Sequence, residues 1–267
     1  MNKFKDKVIL ITGGGKGIGR ETAKLLAQQQ AKVIITGRSQ KELSETCSHI
    51  KKSAGQCEYY VGDVTSIDDC QRIVTSVIAK HGLIDVLINN AGMSMRGLFE
   101  ETDLALFHKI IDINFSGAVN MTKFALDKLI ESKGSILFVS SLSALKGIPG
   151  IAPYGTAKMA LTGFSESLRA ELHHHHVHVG IIYVGFTEND ANKKIYSASG
   201  ELIPLYRDKN SDTQVGVAKS VLTSLHRRQP VMYLTCAGKL ANVVYRLFPK
   251  LSSYLLRKFS MKSTRYK

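Results

Sequence analysis

Tyr154 and Lys158 stand four residues apart in the run PYGTAKM, Pro153 to Met159, inside a strongly helical stretch, so both project from one helix face. That face continues through Leu161, Phe164, Leu168 and Leu172, an apolar stripe expected to press against the body of the protein. An ammonium group beside such a stripe has a chemical use. A phenol ionises with a pKa of about 10, and a fixed positive charge within a few ångström favours its phenolate. Tyr154 so placed could exchange a proton near neutral pH. The same spacing also arises by chance as a half-exposed tyrosine and a snorkelling lysine. The rest of the chain decides between the two.

With 267 residues, 44% hydrophobic and 22% charged, the chain is long enough for one large α/β domain with a sizeable core. Cys47, Cys57, Cys70 and Cys236 form no C-x-x-C pair and no His/Cys ligand spacing, so neither a disulfide framework nor a zinc site is expected, in keeping with a reducing compartment. The opening MNKFKDKVILITGGG has a charged start and a short apolar run but no cleavage site, and reads as a first strand. No run of about 18 apolar residues occurs. A cytoplasmic protein is expected, with surface attachment to a membrane left open.

Val8 to Ile11 is a continuous β-branched and aliphatic run, as in a strand buried on both faces of a parallel sheet. Glycines 13, 14, 15, 17 and 19 follow, then an amphipathic helix to Gln30. Strands at Lys32 to Thr36, Cys57 to Val61, Ile84 to Ile88, Ser135 to Val139, Val177 to Val184 and Val231 to Leu234 alternate with helices at Gln40 to Lys52, Ile67 to Lys80, Leu104 to Leu129 and the helix carrying Tyr154. About seven strands so connected imply right-handed βαβ units and a doubly wound parallel sheet, a Rossmann-type fold, in one domain. Ligands in such sheets bind at the carboxyl ends of the strands. Gly13 to Gly19, Asn89 to Gly92, Ser140 to Ser143 and Val184 to Thr187 all sit directly after a strand.

TGGGKGIG, residues 12 to 19, lets backbone approach a pyrophosphate closely and aims a helix N-terminus at it. Where NAD-preferring folds put an acidic residue after the second strand, this chain has Thr36-Gly37-Arg38-Ser39, with no carboxylate there to repel a 2′-phosphate. Arg38 can pair with that phosphate bidentately and Lys16 adds a second charge, so NADP(H) is expected over NAD(H). Asp63 in GDVT could accept from an adenine amine or cap the next turn. Asn114 falls on the apolar stripe of the long helix, where its amide must be satisfied, and a bridging and a catalytic role both stay open. Of Ser140 and Ser141, one hydroxyl could face the reactive end of a nucleotide. His173 to His176, with His178 just beyond, could suggest a metal site. They fall on an αβ turn away from the strand carboxyl ends, so a solvated loop is expected and no metal is assigned.

Taken together, Thr12-Gly13-x-x-x-Gly17-Ile18-Gly19, Asp63, Asn89-Asn90-Ala91-Gly92, Asn114, Ser141 and Tyr154-x-x-x-Lys158 resemble the short-chain dehydrogenase/reductase family over residues 5 to 235. The family's catalytic serine precedes the tyrosine by thirteen residues, which selects Ser141. The resemblance implies hydride transfer between a nicotinamide and a ketone or secondary alcohol. Ser141 would hold the carbonyl, Tyr154 would donate the proton, Lys158 would lower the Tyr154 pKa and hold the ribose, and Asn114 would position a water. It implies cofactor contacts from Thr12, Gly13, Gly15, Lys16, Gly17, Ile18 and Gly19, from Arg38 and Ser39, from Asp63 and Val64, and from Asn90, Ala91 and Gly92. Tyr154, Lys158, Gly185 and Thr187 complete that set. Val184-Gly185-Phe186-Thr187 lacks the family's usual proline but keeps the glycine and threonine. A homodimer or homotetramer built on the helices at 104 to 129 and 153 to 172 is implied by analogy alone.

Residues 188 to 212 correspond to the family's variable substrate lid, and their Ile195, Tyr196, Leu202, Ile203, Leu205 and Tyr206 suggest an apolar pocket wall. The net charge of +14 is uneven: from Thr213 onward there are eleven Lys or Arg and no Asp or Glu. Residues 236 to 267 read as a basic amphipathic extension of the 1 to 235 domain. Leu240, Val243, Val244, Leu247 and Phe248, then Leu251, Tyr254, Leu255 and Phe259, follow helical spacing, accompanied by Lys239, Arg246, Lys250, Arg257, Lys258, Lys262, Arg265 and Lys267. Membrane contact and packing within the protein or on a second subunit both fit. Nucleic acid is not expected, because the cations are interleaved with large aliphatic residues. The expected activity is an NADP(H)-dependent reductase of an apolar, lipid-like carbonyl. A small polar carbonyl, or a non-catalytic nucleotide-sensing scaffold, is the alternative.

Overall fold

The computed structural model describes residues 3–191, 193–205 and 211–262. Its strands and helices follow in the order β1 (Val8–Thr12), α1 (Gly17–Gln28), β2 (Lys32–Gly37), α2 (Gln40–Lys52), β3 (Gln56–Val61), α3 (Ile67–His81), β4 (Val86–Asn89), β5 (Met95–Arg96), α4 (Leu104–Ile111), α5 (Gly117–Glu131) and β6 (Ser135–Ser141). Then come α6 (Ala152–Glu171), β7 (His178–Val184), β8 (Lys194–Ser197), β9 (Leu202–Pro204), α7 (Gln214–His226), β10 (Val231–Tyr233), α8 (Cys236–Leu247) and α9 (Pro249–Lys262).

Seven strands form one parallel sheet in the order β10-β7-β6-β4-β1-β2-β3. Neighbouring residues of a strand point to opposite faces. Ile9 and Ile11 therefore join the core under α1, α2 and α7, while Val8 and Leu10 join the one under α3, α5 and α6. Two covered faces are why the strands read as unbroken apolar runs. The strand order reverses between β1 and β4, and a crevice opens there at their carboxyl ends.

Three features differ from the sequence expectation. The stretch from Leu104 to Leu129 is not one helix: a π-helical turn at Asp112–Ser116 separates α4 from α5. Asn114 inside that turn donates its amide to the Ile110 carbonyl at 2.9 Å, a side-chain bond that competes with the regular ladder. Secondly, Cys47 of α2 and Cys57 of β3 form a disulfide, contrary to the expectation that the cysteines stay unpaired. The α2–β3 hairpin of elements brings their Cα atoms to 5.1 Å, a proximity that a ten-residue spacing does not advertise. The remaining described thiol, Cys70, is buried, and burial raises it to about 11.

The third difference is the lid. Its described part is an antiparallel pair, β8 with β9, extended by β5 into a small three-stranded sheet. Ile195 and Tyr196 turn inward, Tyr196 packing with Met95, Leu106 and Ile110, so they are lid core and not pocket wall. Leu202 is exposed and Leu205 borders the cleft. Tyr206, Arg265 and Lys267 lie outside the described residues, as do the side chains of Cys236, Arg246, Leu251, Leu255, Phe259 and Lys262. Among the described residues no helix is long and apolar enough to cross a membrane. His173 to His176 form a turn closed by left-handed His176, with His175 half-buried and the others exposed. Among the described residues no cluster could hold a metal ion.

Candidate active site

A cleft of about 760 Å³ runs from the glycine loop to the mouth formed by the lid and α8. At its floor, β1 ends in Thr12, whose hydroxyl accepts from the backbone N–H of Asn90 and of Ala91, each at 3.0 Å. Asn90 Nδ2 returns two bonds, to the carbonyls of Thr12 and Gly13. These bonds clamp the end of β1 to the end of β4. Gly13 has φ of +66°, open to glycine at little cost, and a Cβ on Gly19 would overlap the Gly13 carbonyl. Thr12 and Gly19, expected as cofactor contacts, do not border the cleft. They shape the loop from behind, while Gly13, Gly15, Lys16, Gly17 and Ile18 line it.

The exposed end of the cleft is electrically mixed. Arg38 faces the Asp63 carboxylate at 3.8 Å, and Lys16 meets Glu42 at 3.1 Å. Glu42 qualifies the expectation that no carboxylate opposes a 2′-phosphate: none stands at Gly37 to Ser39, yet α2 presents one on the same rim. Ser39 caps α2 by accepting from the Glu42 N–H. Asp63 Oδ1 accepts from the Thr65 N–H and hydroxyl at 2.9 Å, which is the turn-capping geometry. Val64 also lines this end.

Asp190, unnoticed in the sequence, reaches from the lid to the N-terminus of α1. It accepts from the Gly17 N–H at 3.0 Å and from Arg20 at 2.8 Å, with Gln214 alongside. Burial works to raise this carboxyl, but the Arg20 guanidinium outweighs it and holds the group below its usual range. The carboxylate thus occupies an N–H of the loop that offers its donors to anions.

At the inner end, α6 brings Lys158 under Tyr154. Lys158 is 4% exposed, and its Nζ donates to the Val139 carbonyl at 3.0 Å. Two of its three N–H bonds are left without a protein acceptor among the described residues. The ammonium lies 5.8 Å from the centre of the Tyr154 ring, and loss of hydration pushes Lys158 down to about 8. Asn114, fully buried, donates to the Met93 carbonyl and accepts from the Met93 N–H, so it does bridge helix and strand loop. A Cβ on Gly92 would fall 2.8 Å from Asn114 Oδ1 and 3.4 Å from Lys158 Nζ. Only glycine leaves room there.

Ser140 turns away and donates to the Lys158 carbonyl. Ser141 borders the cleft, with its oxygen accepting from the Ser143 N–H at 3.2 Å. Gly185 and Thr187 line the opposite wall. The apolar surface comes mostly from residues with no prior signal: Leu142, Leu145, Ile148, Ile151, Phe186 and Tyr245.

Comparison with known proteins decides what kind of cleft this is. The family model described as short chain dehydrogenase matches residues 7–200. The chain belongs to the short-chain dehydrogenase/reductase family. Among its relatives in this family, 11-beta-hydroxysteroid dehydrogenase 1A of Arabidopsis thaliana is 35% identical over 236 residues, covering 84% of this chain and 66% of that protein. The chain thus spans just under two thirds of that relative's length. A Dictyostelium discoideum dehydrogenase/reductase SDR family protein 7-like is 30% identical over 99% of this chain and 85% of its own. An actinorhodin polyketide ketoreductase crystallised with NADPH superposes with a TM-score of 0.67 at 28% identity, over 68% of this chain and 71% of that one. The apo form of LigD from a Sphingobium strain shares the fold, with a TM-score of 0.75 at 21% identity and 97% coverage of both chains.

A member of this family binds a nicotinamide cofactor and oxidises or reduces a small molecule. The residues present fit such a group. Gly17, on the cleft border, has no atom within 4 Å of where a Cβ would stand, so the cradle is open there, and the buried Lys158 holds two donors ready for hydroxyl groups.

Proposed function

We propose that the chain is an NADP(H)-dependent oxidoreductase that reduces a ketone, or oxidises the corresponding secondary alcohol, on an apolar, lipid-like molecule. One observation carries the reading: Ser141, Tyr154, Lys158 and Asn114 meet at the inner end of a cleft whose outer walls are largely aliphatic and aromatic. The bound nicotinamide supplies or accepts the hydride. Ser141 holds the substrate oxygen through its hydroxyl proton, which the Ser143 contact leaves free to donate. Tyr154 delivers a proton to that oxygen as negative charge develops on it. The Lys158 ammonium favours the phenolate left behind, and its spare N–H bonds hold the ribose. Asn114, saturated by Met93 and Ile110, fixes the loop floor on which a proton-returning water would sit.

Arg38 and Lys16 support the preference for NADP(H), since a 2′-phosphate can displace Asp63 and Glu42 as their partner with a stronger charge. The NADPH in the ketoreductase structure points the same way, and the hydroxysteroid activity in the plant relative's name supports an apolar substrate. By family habit the working form is a homodimer or homotetramer. A small polar substrate is the second reading, favoured by Arg96 and Lys193 on the cleft border.

The test is cofactor oxidation, NADPH against NADH, over ketones graded from small polar acids to steroids and long-chain keto-lipids. Turnover of apolar ketones with NADPH is expected. Turnover confined to small polar ketones would establish the second reading, and tight NADPH binding with no turnover anywhere would leave only a nucleotide-binding scaffold.

A further inference from the structure

Helix α8 carries two faces with different surroundings. At 100° per residue, Gly238, Ala241 and Tyr245 fall on one flank, and all three border the cleft. Leu240, Val243 and Leu247 fall on the opposite flank. Together with Phe248 at the helix end and Tyr254 on α9, each leaves between 46% and 66% of its surface in water. An apolar stripe of this kind on a protein surface marks a contact site. Cations accompany these residues: Lys239 on α8 and Lys250, Arg257 and Lys258 on α9 are exposed, the last three on the same side of α9 as Tyr254. Phe186, 68% exposed, stands at the cleft mouth.

We propose that the outward face of α8 and α9 docks on an anionic phospholipid bilayer, holding the cleft mouth at the membrane surface. Three observations select this occupant. Exposed aliphatic and cationic side chains lie together on this helix pair, the pairing that enters a headgroup layer while its charges remain at the phosphates. No acidic residue occurs from Thr213 to the end of the chain, against eleven Lys or Arg. A second copy docking the same face on itself would set cation against cation, as a two-fold contact requires. The elements also give the face a fixed aim: Thr235 caps α8 through the Gly238 N–H, Gly238 leaves no space against Leu142, and Lys146 ties the loop before α6 to Ser253 of α9. An apolar ligand leaving the bilayer would meet α8 and Phe186 first.

The docking does not depend on turnover, so it is read without any reaction. The full chain is floated with vesicles of phosphatidylcholine and phosphatidylglycerol in equal parts, and with phosphatidylcholine alone, at low and high salt. Binding to the anionic vesicles is expected, weakened by salt. Leu247→Glu should lower it about tenfold, from lost burial of one large side chain, and Lys239→Glu with Lys250→Glu roughly fivefold or more per position. None of these residues lines the cleft, and unchanged NADPH binding would show each variant folded. No flotation of the full chain would overturn the proposal. So would equal flotation of folded Leu247→Glu, or a concentration-dependent dimer that Leu247→Glu dissolves, which would give the face to a second copy.

Discussion

The glycine loop borders the same cleft as α8 of the C-terminal helix pair, and the two regions are held by opposite means. Around the loop, Thr12, Asn90, Gly13 and the Thr36 carbonyl exchange backbone and side-chain bonds, and the strands beneath are buried on both faces. Around α8 and α9, the described attachments include one cap, one close glycine and one lysine–serine bond, while a stripe of large apolar side chains stays in water. The first region is completed by its own chain. The second keeps its apolar stripe open, as the proposed docking requires. A scaffold that fixes a cofactor must be rigid, whereas a surface that meets a membrane must leave its apolar groups available.

If that contrast is real, substitutions in the two regions should separate cleanly in unfolding experiments. Phe138→Ala, in the fully buried strand under α6, should cost about 3–5 kcal/mol, measured by urea titration. Leu247→Glu should stay within about 0.5 kcal/mol. A large loss for Leu247→Glu would mean that α8 belongs to the core after all.

Acid should attack the sheet. His178 on β7 is buried, and its loss of hydration, with Arg228 and Arg169 nearby, pushes it down to about 4. An unfolded histidine takes its proton near 6.5. Below that pH the unfolded chain therefore binds the extra proton, and stability falls until about 4, by up to about 3 kcal/mol. Urea midpoints taken between about pH 7 and pH 5 should fall by the equivalent of about 2 kcal/mol. His178→Asn should flatten that slope whatever its stability at neutral pH, and an unchanged slope would assign it to other groups.

Smaller effects should mark the cofactor end. Arg38→Ala should weaken NADPH by about 1.5–3 kcal/mol and leave NADH nearly unchanged, the difference expected for a charge-assisted contact. Glu42→Gln should favour NADPH by under about 1 kcal/mol, since it frees the exposed Lys16 from a partner of modest strength. Equal losses for both cofactors in Arg38→Ala would remove the argument for NADP(H).

How far these features could be read beforehand follows the same divide. Strand positions, the glycine turn and the α6 face depend on local periodicity and on residue types with few uses, so the seven strands stand within a residue or two of their expected places. The π turn at Asp112–Ser116 has no periodic mark, because the Asn114 bond that accompanies it runs to a carbonyl on the preceding turn. Asp190 and Cys47–Cys57 are meetings across sequence gaps, and a lone Asp in a lid or two separated cysteines carry no spacing rule. The apolar residues of the lid do not form one wall: Ile195 and Tyr196 are buried away from the cleft, and Leu205 borders it. Family motifs mark the candidate residues at the inner end of the cleft. The outer walls, which would select the substrate, come from ordinary leucines and isoleucines.

The central claim is that Tyr154 moves the proton while the buried Lys158 sustains it. The most direct measurement is the turnover number of Tyr154→Phe on whichever ketone the full enzyme reduces, alongside NADPH affinity by fluorescence. A fall of about 10²–10⁴-fold in turnover is expected, with NADPH affinity held within about threefold, because the phenyl ring and Lys158 remain in place. Turnover within about tenfold of the unaltered enzyme would contradict it and move the proton to another group in the cleft.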